Sequence, residues 1–362
     1  REGSRSPDLR DRYLGTAIGA KLILVGAVTL GMVFLFPYLT SIGEAKAIMP
    51  ILIFVFAFDT LRDLGSAFAR ALERMEVEAV TQIFTNFAIV ALGFILLGNQ
   101  ETSRSLAIAY AAGSGVGLLG IAYALRKHLS LSLKNFDPRL LREIFATAWP
   151  FGLFGIMGVV MLNTDIIMLG WMRTPAEVGY YAAAQKLIQL LYVFPTIFAS
   201  SLFPTLTRLT SNDRAKAKSL LERSVSLAIL TSIPVAALGI FLGPWIIGTF
   251  FGPGYAPAIP AFQILMATIT IIFPSALVGN AIFAYGEQRR FVHLVAVAIF
   301  GNIALNAVLI PPFGIGGAAA ATVVTQLTTN SLIWKKMKKL NGFSVLPDVK
   351  RRLSQFLGFN YW

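Results

Sequence analysis

The stretch NTDIIMLGWMRTPAEVGYYAAAQKL, residues 163–187, reads as two apolar helices meeting at a short turn, 172–178. Two ionisable side chains flank that turn from inside the helices, Asp165 and Lys186, and their positions average 175.5, close to its middle. In an antiparallel hairpin they lie at similar depth, a little over two turns below the outer surface. Opposite charges at equal depth on adjacent helices suit an ion pair. Such a pair reads either as a structural clamp or as a group that binds a coupling ion or gates a path.

Outward from this hairpin the same pattern repeats. Apolar windows of about 20 residues, enough to cross ~30 Å of hydrocarbon as helix, recur ten times, at about 16–37, 47–69, 78–98, 105–125, 146–171, 179–206, 224–242, 257–283, 291–312 and 316–334. Composition agrees. Of 362 residues, 56% are hydrophobic and 14% charged, against ~45–50% and ~25% in a soluble domain. A soluble enzyme and a disordered chain are thereby disfavoured. The chain has no cysteine, which removes thiol catalysis, Cys-ligated zinc and iron–sulfur chemistry. No P-loop, glycine-rich dinucleotide motif or HExxH is present, and neither His128 nor His293 has a second ligand nearby. The expectation is a polytopic all-α membrane protein that is not an enzyme and holds no cofactor or metal.

The net charge of +13 would suggest nucleic acid in a soluble chain. Its distribution says otherwise. Of 31 Lys and Arg, 25 fall in loops on one side, three (Lys46, Arg104, Arg173) on the other, and three (Lys21, Arg62, Lys186) inside spans. That asymmetry is a positive-inside signal and places both ends of the chain in the cytoplasm. Trp149, Trp171, Trp245 and Trp334 at span ends agree. Residues 1–15 form a polar cytoplasmic segment without a signal-peptide core. The tail 341–362, with Lys350, Arg351 and Arg352 among Leu353, Phe356 and Leu357, reads as an amphipathic helix on anionic lipid or as a solvated end.

The chain also resembles itself. Gly65-Ser66-Ala67-Phe68 through Glu73 matches Gly279-Asn280-Ala281-Ile282 through Glu287, Arg74 and Asn86 match Arg290 and Asn302, and Arg126-Lys127 match Lys335-Lys336. A parallel duplication pairs spans one to four with seven to ten and leaves the fifth and sixth without upstream partners. The expectation is a parent protein with two further helices before residue 1, six plus six, a known transporter plan.

Polar groups inside spans carry the functional reading. Lys21 can snorkel to the cytoplasmic surface. Asp59, Arg62 and Asp63 form a tight set: a self-neutralising triad, or an arginine facing a cavity where it meets an anionic head group, since guanidinium matches phosphate bidentately. Asn86, Asn163, Gln185, Asn280, Asn302, Asn306 and Gln326 add hydrogen-bonding groups. Gly113 with Gly117, and the run Gly152, Gly155, Gly158, suit close helix packing.

Several segments resemble the polysaccharide transporters, the Wzx-type flippases of the multidrug/oligosaccharidyl-lipid/polysaccharide exporter superfamily, related to the MATE exporters. Residues 163–187 are similar to that family's seventh-to-eighth helix hairpin, LLREIFATAWPFGL at 140–153 to the lead-in of the seventh helix, FFGPGYAPA at 250–258 to an outer loop, and FGIGGAAAATVVTQ at 313–326 to the twelfth helix. The resemblance implies a MATE-like two-lobe fold lacking its first two helices: 16–139 as the four-helix remainder of the N-lobe, 140–340 as the six-helix C-lobe. It implies a central cationic cavity and alternating access. The cargo would be a polyprenyl-diphosphate-linked oligosaccharide turned from inner to outer leaflet of a prokaryotic cell membrane for cell-surface polysaccharide biosynthesis. Arg62 and Lys186 are the candidates for cargo binding; Asp165, Asp59 and Asp63 are those for coupling or gating, with Na+ or H+ as coupling ion. Implied partners are the lipid-linked oligosaccharide, membrane lipids, a polysaccharide polymerase and glycosyltransferases. The alternative is a MATE-like cation-coupled exporter of small cationic compounds. A major-facilitator transporter does not fit: Asp11-Arg12-Tyr13-Leu14-Gly15 continues with Thr16 rather than a basic pair.

Overall fold

The computed structural model describes residues 7–39, 43–132, 136–287, 292–345 and 349. The expectation for the tail from Lys350 onward lies outside these residues. Helices α1 (Pro7–Leu39), α2 (Gly43–Ala71), α3 (Met75–Asn99), α4 (Ser103–Ser132) and α5 (Pro138–Met172) are followed by α6 (Pro175–Leu191), α7 (Val193–Asn212) and α8 (Arg214–Phe251). A 3-10 turn (Pro253–Ala258) then leads into α9 (Ile259–Met266), α10 (Ile269–Ala284) and α11 (Val292–Asn341). Among the described residues there is no strand. Large apolar side chains such as Phe34, Phe94 and Phe241 stay exposed, as expected of helices solvated by lipid rather than water.

Seven of these helices are long and apolar enough to cross a membrane, or eight when the bent pair 253–266 and 269–284 forms one span. The chain is thus a multi-pass membrane protein. The sequence windows number ten, and the difference of two lies in α2 and α11. Helix α2 carries Asp59, Arg62 and Asp63 within its apolar stretch. Helix α11 has continuous helical assignment over 50 residues, interrupted by non-helical backbone at Gly314. Two contacts show that the chain reverses there. A Cβ on Gly317 would collide with the Leu309 carbonyl, whereas eight residues of straight helix span ~12 Å. His293 Nε2 and Lys336 Nζ, at opposite ends of α11, lie 2.7 Å apart. So 292–313 and 315–341 are the two arms of a hairpin, and Gly314, with φ of 56°, supplies the backbone that L side chains rarely adopt.

The chain divides into two compact units, Arg1–Gly152 and Leu153–Trp362. The division between these units falls inside α5. In the first unit α4 packs on α2 and α3 around Phe68, Ala69, Val77, Ile121 and Leu125. Side chains at Gly113 and Gly117 would strike Ile89 and Thr85, so the small residues bring α3 and α4 together. The run Gly152, Gly155, Gly158 does not do this: nothing lies within 4 Å of a Cβ at any of the three. The second unit has the larger core, with Leu169, Tyr181, Ile188, Leu221, Phe262, Met266, Ile269 and Leu277 fully or almost fully buried.

Candidate functional site

In the second unit a single carboxylate is buried among neutral donors. Asp165, on α5, is 5% exposed. Its Oδ2 accepts hydrogen bonds from Tyr181 Oη at 2.7 Å and from Thr322 Oγ1. Its Oδ1 accepts from Asn306 Nδ2 at 2.6 Å, and that amide also donates to Asn302 Oδ1 at 3.0 Å.

Two tight turns bring these residues together. The first, at Arg173–Thr174, is fixed by a capping box: Thr174 Oγ1 accepts from Glu177 N–H at 3.4 Å while Glu177 Oε2 accepts from Thr174 N–H at 3.3 Å, with Pro175 opening α6. Asp165 and Tyr181 are equidistant from that turn and face each other. The second is Gly314, which sets Asn302 and Asn306 on one arm of α11 opposite Thr322 on the other. A clasp joins the two turns. Arg173 Nη2 donates to the Ile310 and Pro311 carbonyls at 2.6 and 2.5 Å, which belong to the last turn of the 292–313 arm and would otherwise lack donors. These turns define one end of the unit, here the Gly314 end.

Asp165 makes no ion pair among the described residues. Lys186 is exposed on α6 and not within salt-bridge distance of it, contrary to the pairing expected from equal depth. The helical wheel gives the reason. On α6, Tyr181 and Gln185 share the face towards α5, Gln185 Nε2 donating to Leu162 O at 3.0 Å; Lys186 is turned ~100° from Gln185. Equal depth did not hold either: with the turn at Arg173–Thr174, the residue level with Asp165 is Tyr181, five residues short of Lys186, and sequence reasoning missed it together with Thr322.

The donor set fits a monovalent cation or a proton. Besides the carboxylate it offers hard oxygen atoms: Asn302 Oδ1, Thr322 Oγ1 and Asn306 Oδ1, the last buried without a partner. Oxygen donors of this kind suit alkali and alkaline-earth ions, and one carboxylate balances one unit of charge. A buried carboxylate without a countercharge is costly, and a bound cation would offset that cost.

In the first unit, Arg62 is 9% exposed. Its Nη1 lies 2.8 Å from Asp59 Oδ1 and its Nη2 3.3 Å from Asp63 Oδ1. The triad is therefore formed within α2 itself, while Arg62 Nε is buried and has no partner among the described residues.

Known proteins resemble this chain in both sequence and fold. Residues 4–210 match the family described as polysaccharide biosynthesis protein. A protein named probable low-salt glycan biosynthesis flippase Agl15, from Haloferax volcanii, is 25% identical over 315 residues, covering 86% of this chain. The chain spans 66% of that protein's length and 41% of a second relative's. The structure of a lipid II flippase MurJ in an inward closed conformation superposes with a TM-score of 0.78 at 17% identity, covering 92% of this chain and 74% of that one. An inward-facing MATE family multidrug resistance transporter gives 0.78 at 17% identity, covering 93% and 83%. The fold is thus the MATE-like fold.

Proposed function

This chain belongs to the polysaccharide biosynthesis protein family, and we propose from that premise that it turns a polyprenyl-diphosphate-linked oligosaccharide from the inner to the outer leaflet by alternating access. It is read as a transporter in a prokaryotic cell membrane, with both described ends cytoplasmic and no catalytic step of its own. The observation that carries the reading is Lys186. It lies about 16 Å along α6 from Pro175 at ~1.5 Å per residue, near mid-bilayer and too deep for its stem to snorkel to either surface. It is exposed and pairs with no acid among the described residues. A charge so placed needs an aqueous path or an anionic ligand, and a diphosphate meets that need where a cationic drug does not. The Asp59–Arg62–Asp63 triad supports the reading more weakly: Arg62 still has its Nε–H to give, without a partner among the described residues, and the two carboxylates suit gating.

The buried Asp165 site supplies the coupling ion, Na+ or H+. Its residues hold a cation through Asp165, Asn302, Asn306 and Thr322, or store one proton on the carboxylate. Neutralising Asp165 removes a buried charge and so biases the conformation that encloses it. Glycosyltransferases upstream would form the cargo and a polysaccharide polymerase downstream would consume it.

The test is deletion of the gene followed by assay of lipid-linked oligosaccharide on each leaflet. Accumulation on the cytoplasmic leaflet is expected, with rescue by the native gene and by Lys186→Arg. Lys186→Ala should lower flipping by about 10-fold or more, the scale of a lost hydrogen bond to a charged group, ~1.5–3 kcal/mol. An unchanged glycan pool with lost efflux of cationic dyes would replace this reading with drug export.

A further inference from the structure

Two spans of the second unit are broken at one level, and the breaks touch. Helices α6 and α7 meet at Tyr192, close to the midpoint of 175–212; the 3-10 turn with α9 meets α10 at Ala267–Thr268, close to the midpoint of 253–284. At the second point the backbone tightens: the N–H groups of Ala267 and Thr268 reach back three residues, to Ile264 and Leu265, at 3.1 and 2.9 Å, and three-residue hydrogen bonding in mid-helix marks a hinge. At the first the Tyr192 N–H keeps its four-residue bond to the Ile188 carbonyl, at 3.2 Å, while also reaching Leu190. Pro195 explains the first break, having no N–H for the Leu191 carbonyl. The second pair bends by 45°.

A hydrogen bond joins them. Tyr192 Oη and Thr268 Oγ1 are 2.6 Å apart, and Thr268 is fully buried. The Thr268 hydroxyl donates to Leu265 O at 2.6 Å; with its one hydrogen so used, it accepts from Tyr192. Packing respects the same level. On the Gly314 side, α6 packs on α9 and on the 3-10 turn; on the other side, α7 packs on α10. Helix α8 runs past both layers, touching α7, α9 and α10, and its Pro234 is as far from Phe251 as Tyr192 is from Pro175.

We infer that Tyr192 and Thr268 form a shared hinge, about which the α7–α10 layer swings as one body against the α6–α9 layer. The hydroxyl bond holds the two breaks in step: without it each helix pair bends on its own. The device is independent of the cargo and of the ion. It lies within one unit, and a flippase, a drug exporter or a protein with an empty Asp165 site would all possess it.

The chain has no cysteine, so spin-label pairs can be placed in a clean background. Four pairs in lipid nanodiscs test the hinge by pulsed electron resonance, each measured across a range of Na+ and pH. Pairs 176–256 and 211–283 lie within a layer and should give narrow distances that do not move. Pairs 176–211 and 256–283 cross the hinge and should give broad or two-peaked distances that shift together. Tyr192→Phe and Thr268→Val should make those two shift separately, and Thr268→Ser, which keeps the hydroxyl, should restore the concerted shift. Single, unmoving distances for both crossing pairs in the native chain would overturn the hinge. So would within-layer pairs that move as far as the crossing ones, or variants that leave the concerted shift intact.

Discussion

Asp165 is held by three donors and no cation, so asparagine in its place separates fold from coupling. The replacing amide fills the same volume, and the Tyr181 and Thr322 hydroxyls can turn to accept where they now donate. Asp165→Asn is therefore expected to insert and fold, with a stability change of about 1 kcal/mol. Transport in proteoliposomes should lose its dependence on Na+ or on pH. Undiminished ion dependence in that variant would remove Asp165 from the mechanism. At this scale the sequence was read unevenly. That Asp165 lies inside a span followed from its position in an apolar window, and the structure buries it. Its partners did not follow, because they are set by helix azimuth: Tyr181, one turn before Gln185, faces α5, while Lys186 is rotated away. The Asn302–Asn306 spacing of one turn was visible as polarity. It acquires meaning only when Gly314 folds Thr322 back against it.

Elements are positioned by their ends, and two ends carry predictions. Gly314 sits at φ of 56°, and a Cβ there would lie 3.1 Å from Glu177 Oε1. Gly314→Ala should lower stability by about 1–2 kcal/mol, read as a fall in melting temperature in detergent. Gly301, with nothing within 4 Å of its Cβ, is the control: alanine there should be neutral or stabilising. Equal effects at both positions would mean that the turn is not where the backbone is demanding. The second end is the start of α8, where Asp213 accepts the Lys216 N–H at 3.0 Å and pairs with Lys216 Nζ at 3.1 Å. The backbone hydrogen bond from Lys216, then its side chain, hold the Asp213 carboxyl below its ordinary value. A carboxyl whose pKa is lowered on folding stabilises the fold above its unfolded pKa and loses that contribution as pH falls through the folded one. Amide exchange in the first turn of α8 should therefore accelerate on acidification below the ordinary carboxylate range, and Asp213→Ala should abolish that dependence. Hydropathy located the apolar stretches of α1, α3, α4, α5 and α8. Prolines within the 179–206 and 257–283 windows, Pro195, Pro260 and Pro274, made kinks expected there, but the positions of the breaks, at Tyr192 and at Ala267–Thr268, did not follow from composition.

For the molecule as a whole, the direction of the proposed flipping depends on orientation, and the expected orientation rests on where the cations lie. In the second unit, Arg208, Arg214, Lys216, Lys218 and Arg223 cluster around the α7–α8 turn, and Lys335, Lys336, Lys338 and Lys339 end α11. The Gly314 end of the same unit has Arg173, and its guanidinium is committed to the Ile310 and Pro311 carbonyls. That arginine is thus a structural clasp, and the asymmetry it leaves is steeper than a count of charges suggests. Cationic loops stay in the cytoplasm, so the expected orientation has the Gly314 end outward. Because the chain lacks cysteine, one added thiol reports its own side. Ala176→Cys, beside the Arg173 turn, should react with a membrane-impermeant maleimide on intact cells, and Ser211→Cys, beside Arg208 and Arg214, only after permeabilisation. Both residues are exposed, so a silent site means a sealed side and not a buried thiol. The opposite labelling pattern would invert the molecule and require the cargo to move inward, which a pathway assembling glycans on the cytoplasmic leaflet cannot use.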